Sequence, residues 1–214
     1  GDVRMSATPG QWDLIGQMVD RTVDPKTGVI DVTLKYAEFD FTYHVRSEPH
    51  RDGVTVSVVL YKPLPEALKG RAGFNLEFIP SAYFHKSYLA DGKAGSFPIY
   101  PSSPMALELE AKFAPQTGPQ TKTLALATAK TFVLAPEDGT RRVTVTDTDG
   151  ADISLYDGRN QAQNGWYVLR TMLPAGKTGT VVSWNVMANA VPNWTRAPNI
   201  GHSQLGYAPS QQKV

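Results

Sequence analysis

No cysteine occurs in the chain, so disulfides, thiolate metal sites and cysteine nucleophiles are excluded from the outset. No apolar run approaches the roughly 20 residues that a membrane-spanning helix requires, and residues 1–20 lack the apolar core of a secretory signal. An excess of one charge is missing too. Twenty-one basic residues against 20 acidic ones leave a formal net charge of +1, which supplies no electrostatic pull toward nucleic acid or an anionic membrane. A neutral ligand is the expected kind of partner. Glycine-rich phosphate loops, His-Glu-x-x-His zinc spacing and a Gly-x-Ser-x-Gly nucleophile elbow are all absent, so no cofactor is expected. His44, His50, His85 and His202 are too scattered to form a metal motif, and His44 falls on the solvent side of its strand. Helical periodicity is confined to a turn around Pro65 to Lys69 and a short pattern over Gln11 to Val19.

What the 214 residues do contain is period-two alternation. Phe39, Phe41, Tyr43 and Val45 alternate with Asp40, Thr42, His44 and Arg46, which places one face of a strand in a core and the other in water. Val54, Val56, Val58 and Leu60 repeat the pattern, and residues 29–36, 73–79, 106–112, 122–134, 165–171 and 179–187 read as further strands. Arg141 to Tyr156 reads as a hairpin turning at Asp149-Gly150. About ten strands, with 18 glycines and 16 prolines to turn them, predict an all-β fold: a large antiparallel β-sandwich of jelly-roll or supersandwich type. Phe74 to Pro104 reads as a strand feeding a long ordered loop, the loop best placed to carry function. The expected division is a sandwich over residues 1–187, a proline-containing linker over 188–199, and a separate start at 200–214.

That last segment carries a resemblance. His202-Ser-Gln-Leu-Gly-Tyr-Ala-Pro209, followed by Lys213-Val214, resembles the first strand of the immunoglobulin-like module that precedes the helical catalytic barrel in many family 9 glycoside hydrolases, the cellulase-type endoglucanases. The match covers about fifteen residues. It implies that residues 1–187 are an accessory domain upstream of such a hydrolase, secreted or periplasmic in a bacterium and working on plant polysaccharide. It also implies that the downstream immunoglobulin-like and catalytic domains are partners within the same chain. The family's own catalytic residues have no counterparts here.

Sugar recognition needs flat apolar platforms for the C–H faces of pyranose rings, with side chains that hydrogen-bond hydroxyls in both directions. Two segments offer both, Tyr83 to Tyr100 and Asp157 to Tyr167. The expected platforms are Tyr83, Tyr88, Tyr100 and Trp166, with Asp91, Arg159, Asn160 and Gln163 as polar partners. Trp184 alternates with Val182 and Val186 and reads as core; Trp12 and Trp194 carry less signal. The acids of Asp147 to Asp152 lack the spacing of a calcium loop and read as a hairpin turn. Two other functions stay open: a scaffold that props its neighbour, and an independent carbohydrate-active enzyme. The latter needs two facing carboxylates, for which Glu77, on the strand face beside Asn75, and Asp91 are the candidates, with His85 nearby in sequence.

Overall fold

The structure is a computed structural model that describes residues 1–9, 13–51, 53–108, 120–160, 165–189, 193 and 208–210. Among these the chain forms sixteen strands and a few short 3-10 turns. In chain order they are β1 (Asp2–Arg4), β2 (Gln17–Val23), β3 (Ile30–Tyr36), β4 (Phe41–His50), β5 (Gly53–Leu60), β6 (Gly73–Phe78), β7 (Ser87–Ala90) and β8 (Lys93–Ser96). There follow β9 (Met105–Glu108), β10 (Gln120–Thr123), β11 (Ala127–Ala129), β12 (Thr131–Leu134), β13 (Val143–Asp147), β14 (Ile153–Asp157), β15 (Tyr167–Met172) and β16 (Gly179–Ala188). They assemble into a nine-stranded sheet, β2-β3-β4-β5-β16-β13-β12-β7-β8, a five-stranded sheet, β1-β6-β15-β14-β11, and a β9–β10 ribbon. Every pairing is antiparallel. The two large sheets pack as a sandwich, as the alternation predicts.

Alternation sorts the side chains as expected. Phe41, Tyr43, Val58, Leu60, Val182 and Trp184 are buried between the sheets, while Thr42 and Arg46 on the same strands stay in water. From the small sheet come Phe74, Leu155 and Leu169. Trp184 meets Phe74 edge to face across the interface, with centroids 5.0 Å apart. Full burial of each large apolar side chain contributes about 1.5–3 kcal/mol, so this layer supplies the main cohesion of the fold.

Three expectations change. Residues 122–134 are not one strand. Their pieces serve three sheets: β10 pairs with β9, β11 joins the small sheet against β14, and after Lys130 β12 enters the large sheet between β13 and β7. A strand that crosses between layers reads as continuous in sequence, because alternation carries no information about which sheet its partner belongs to. Gln11 to Val19 is not a helical turn in its described part, since Gln17 onward is edge strand β2. The segment after Phe74 is no simple loop either. It contains the β7–β8 hairpin, closed by Asp91 and Gly92 with φ of 47° and 82°, the pair of left-handed residues that a tight hairpin turn uses. The rest of the expected 106–112 strand, and the linker and tail apart from Ala188, Asn189, Asn193 and residues 208–210, lie outside the described residues.

Polar groups pin β1 between the layers. Tyr36 donates its hydroxyl to Val3 O at 2.6 Å and Tyr43 donates to Asp2 Oδ1 at 2.7 Å. Arg170, buried in mid-β15, donates to Ser6 O (2.9 Å), Arg4 O (3.2 Å), Arg71 O and Asn75 Oδ1 (2.5 Å). Its burial lowers its pKa to about 10, and no carboxylate lies among these partners. It therefore fastens the N-terminal segment and the approach to β6 onto the small sheet. Arg170→Met removes the donor and strands the carbonyls, a loss of about 3–5 kcal/mol. We expect the melting temperature to fall by roughly 6–20 °C in a thermal scan, at the ~2–4 °C per kcal/mol typical of this chain length.

Asp2 makes a second test. Burial pushes its carboxyl above the usual range, although Tyr43 and the Val3 amide oppose the shift. The folded state thus binds the proton more tightly than the unfolded one, and stability falls as pH rises through the window from the ordinary carboxylate value to the raised one. Asp2→Asn keeps the Oδ1 acceptor without the charge. It should melt higher than the parent at pH 7 and level with it below pH 3; an equal gap at both pH values would contradict the assignment.

Candidate functional site

At the end of β14 the Asp157 side chain is completely buried. Its carboxylate accepts Arg159 Nε at 2.8 Å and Nη2 at 2.7 Å, a bidentate pair, and also the Arg159 amide at 3.1 Å. The same guanidinium donates Nη1 to Ile99 O at 2.6 Å and Nη2 to Pro98 O at 2.5 Å, while Tyr167 adds its hydroxyl to Pro98 O. It also lies over two rings, with 4.9 Å to the Tyr167 centroid and 5.4 Å to that of Phe84. Asp157 holds the Arg159 pKa above its usual value, and burial pushes Tyr167 up to about 12. Gly165 packs so closely that a Cβ there would overlap the Arg159 Cα, and the Gly158 amide donates to Trp166 O at 2.8 Å.

The result is a rigid seat for the loop after β8. Phe97 turns inward among Phe78, Tyr83, Tyr88 and Tyr167. Its carbonyl neighbours Pro98 and Ile99 are held by Arg159, and Tyr100, the next residue, stands 80% exposed. Trp166 and Phe84 are half-buried nearby along the same fastening. Arg159 and Trp166, expected from the sequence as site residues, are thereby brought to the base from which Tyr100 projects.

Other expected residues are placed differently. Tyr83 (9% exposed) and Tyr88 (8%) are core rings and offer no open face, which corrects their expected part as platforms. Tyr83 donates to Arg141 O at 3.2 Å, and Tyr88 packs over Gly95, where any side chain would overlap its ring; burial raises the pKa of both. Residue type and spacing do not separate them from Tyr100, because all three lie among glycines and prolines without a continuous alternating pattern. Asp91 is an exposed turn residue whose carboxylate accepts the Lys130 and Thr131 amides at 2.9–3.1 Å, so it ties the hairpin to β12. Asn160 closes the 3-10 turn that begins at Gly158, and its side chain, like all of Gln163, lies outside the described residues.

Glu77 emerges beside Asn75 as the alternation predicts, and it sits 3.3 Å from Arg4 Nε as an ion pair. It belongs to the small sheet and Asp91 to the large one, so the two candidate acids stand on different sheets, each with its own partners. His85 is exposed, in a left-handed turn with φ of 60°. Asp147 accepts the Asp149 and Ala151 amides at 2.9 and 2.8 Å, as a hairpin turn does. Among the described residues no three His, Asp or Glu side chains cluster to hold a metal ion.

Sequence reading missed a second exposed ring. Tyr61 follows β5 and is 73% exposed, lying edge to face on His44 with centroids 4.7 Å apart. His44 is on the outer face, as expected, but its Nδ1 lies 2.7 Å from Asp31 Oδ1 and 3.3 Å from Thr33 Oγ1. The signal was available: Thr55, Ser57, Val59 and Tyr61 are the outward positions of the same alternation that buries Val58 and Leu60.

No protein-family model matches this chain, and neither the curated proteins nor the solved structures yield a match.

Removing the Arg159 guanidinium leaves the Asp157 charge buried without its cation, a loss of about 3–5 kcal/mol. Arg159→Ala should therefore lower the melting temperature and also speed proteinase K cleavage within residues 96–103, followed by mass spectrometry. Unchanged cleavage within residues 96–103 would show that the loop is held by other means.

Proposed function

We propose that residues 1–187 form a noncatalytic carbohydrate-binding accessory module of a secreted plant-polysaccharide-degrading glycoside hydrolase, contacting β-glucan or a similar neutral glycan. The observation that carries the reading is Tyr100: a large ring, almost wholly in water, at the end of a loop fixed by a buried ion pair. An exposed aromatic on a mobile loop loses its freedom when it binds, whereas one held in place does not. Phe84, its ring under the Arg159 guanidinium, sets apolar surface beside donors at the foot of the loop, the mixture that a sugar ring requires, and Trp166 adjoins Tyr167 in sequence. The near-neutral charge of the chain agrees with an uncharged ligand. Binding is favoured over catalysis because Glu77 and Asp91 belong to different sheets. The resemblance of residues 202–214 supplies the hydrolase context. Affinity is weak, since an open platform must compete with water for every hydroxyl.

A second reading has one observation in its favour. Leu14, Ile15, Met18, Val19 and Val23 are all exposed on and beside edge strand β2, and such an apolar ribbon suits a scaffold that docks on a neighbouring domain.

Affinity electrophoresis of the 214-residue chain in gels containing hydroxyethylcellulose tests the first reading. Retardation should occur, and Tyr100→Ala, an exposed substitution that leaves the melting temperature unchanged, should weaken it roughly two- to tenfold, the worth of one lost ring contact. A parent chain that is not retarded on hydroxyethylcellulose, xylan or galactomannan would overturn it. Concentration-dependent self-association in sedimentation, abolished by Val19→Lys, would then favour the scaffold.

A further inference from the structure

The outer face of the nine-stranded sheet carries an open tyrosine ring among side chains that both donate and accept hydrogen bonds. Asp31, Arg46 and Ser57 face one another on β3, β4 and β5 in direct register, and Thr33 stands opposite His44 one row away. Side chains directly opposite in an antiparallel sheet lie about 4.5–5.5 Å apart at Cβ, so these form a continuous polar strip across three strands. Asp31 lies 2.7 Å from His44 Nδ1, and Arg46 pairs with Glu48 at 2.7 Å. Carboxylate acceptors, a guanidinium donor and the hydroxyls of Thr33 and Ser57 thus lie side by side, which meets the requirement of sugar hydroxyl groups that must both give and receive hydrogen bonds.

Tyr61 completes the strip. Its ring is 73% exposed, yet it rests against the edge-to-face His44 imidazole, which Asp31 and Thr33 hold in turn. A large open ring kept in one orientation by packing beneath it is prepared for stacking, because little side-chain freedom remains to be lost.

We infer that Tyr61, with His44, Asp31, Thr33 and Arg46, forms a second glycan-contact surface on the large sheet. The inference rests on the carbohydrate-binding reading above and adds a site to it. This surface is separate from the Tyr100 seat: Tyr61 continues β5 of the large sheet, whereas the Tyr100 loop is fastened through Arg159 and Tyr167 to β14 and β15 of the small one. Two separated contacts on one module bind a long polymer more tightly than either alone, through the raised effective concentration of the second contact. A short oligosaccharide engages one at a time.

The test compares the parent chain with Tyr61→Ala, Tyr100→Ala and the double variant, each confirmed folded by its melting temperature, on hydroxyethylcellulose gels and with cellohexaose in solution. Loss of either ring should weaken polymer retardation roughly two- to tenfold, and loss of both should abolish it. In the parent, cellohexaose should shift the His44 imidazole resonances in a nitrogen–proton correlation spectrum. If the parent and Tyr61→Ala are retarded equally and the His44 signals do not move, while Tyr100→Ala is impaired, the second surface is wrong and the Tyr100 reading stands. If the parent neither is retarded nor responds to cellohexaose, both fall together. If only Tyr61→Ala is impaired, the second surface stands and the Tyr100 seat does not.

Discussion

Two guanidinium groups hold the parts of this fold that sheet hydrogen bonding does not reach. A backbone carbonyl that leaves a ladder and stays buried must find another donor, and an arginine offers five in a rigid fork. Arg170 gathers the carbonyls of Arg4, Ser6 and Arg71, so the N-terminal segment lies against the small sheet. Arg159 gathers those of Pro98 and Ile99 and anchors itself on the buried Asp157. The two differ in their counter-charge. Arg159 has a carboxylate in contact and its pKa rises, whereas Arg170 has carbonyls and an amide oxygen and its pKa falls. The first can therefore sit near the surface as a clamp; the second is tolerated because its guanidinium finds four oxygens and the Met172 sulfur.

This arrangement separates the buried aromatic layer from the exposed rings. The aromatic layer of Phe74, Trp184, Phe97 and Tyr167 is sealed between the sheets, whereas the exposed Tyr61 ring rests on His44 and the exposed Tyr100 follows the two carbonyls that Arg159 holds. Neither exposed ring contributes to the core, so either can contact a ligand without disturbing the packing. Edge strand β2 is a different kind of surface. All seven of its residues are exposed, and its apolar side chains have no polar support of that sort. A rigid polar frame under a ring favours a small rigid ligand, and a bare apolar ribbon favours another protein surface.

Much of the layer arrangement was legible from residue type and spacing. Phe41 and Tyr43 inward, His44 and Arg46 outward, Trp184 in the core and Glu77 beside Asn75 on the opposite face of β6 all follow from period two. The Asp149-Gly150 turn follows from turn chemistry, with Gly150 at φ 80°. The aromatics between residues 83 and 100 were not legible. Tyr83 reaches the carbonyl of Arg141 and Tyr88 packs on Phe132 of β12, contacts that arise only when distant segments meet. Arg159 was expected to meet a ligand, and its hydrogen bonds to Pro98 and Ile99 span about sixty residues.

By itself the sequence determined that this protein is a β-sandwich with a net charge near zero and which side chains each strand turns inward, because a strand has only two faces and its pattern is local. Tertiary structure alone decided which tyrosines stay in water, which sheet each of β10, β11 and β12 joins, and that Arg159 is a clamp. Those outcomes depend on hydrogen bonds and ring contacts between segments far apart in the chain, and no short-range periodicity encodes them.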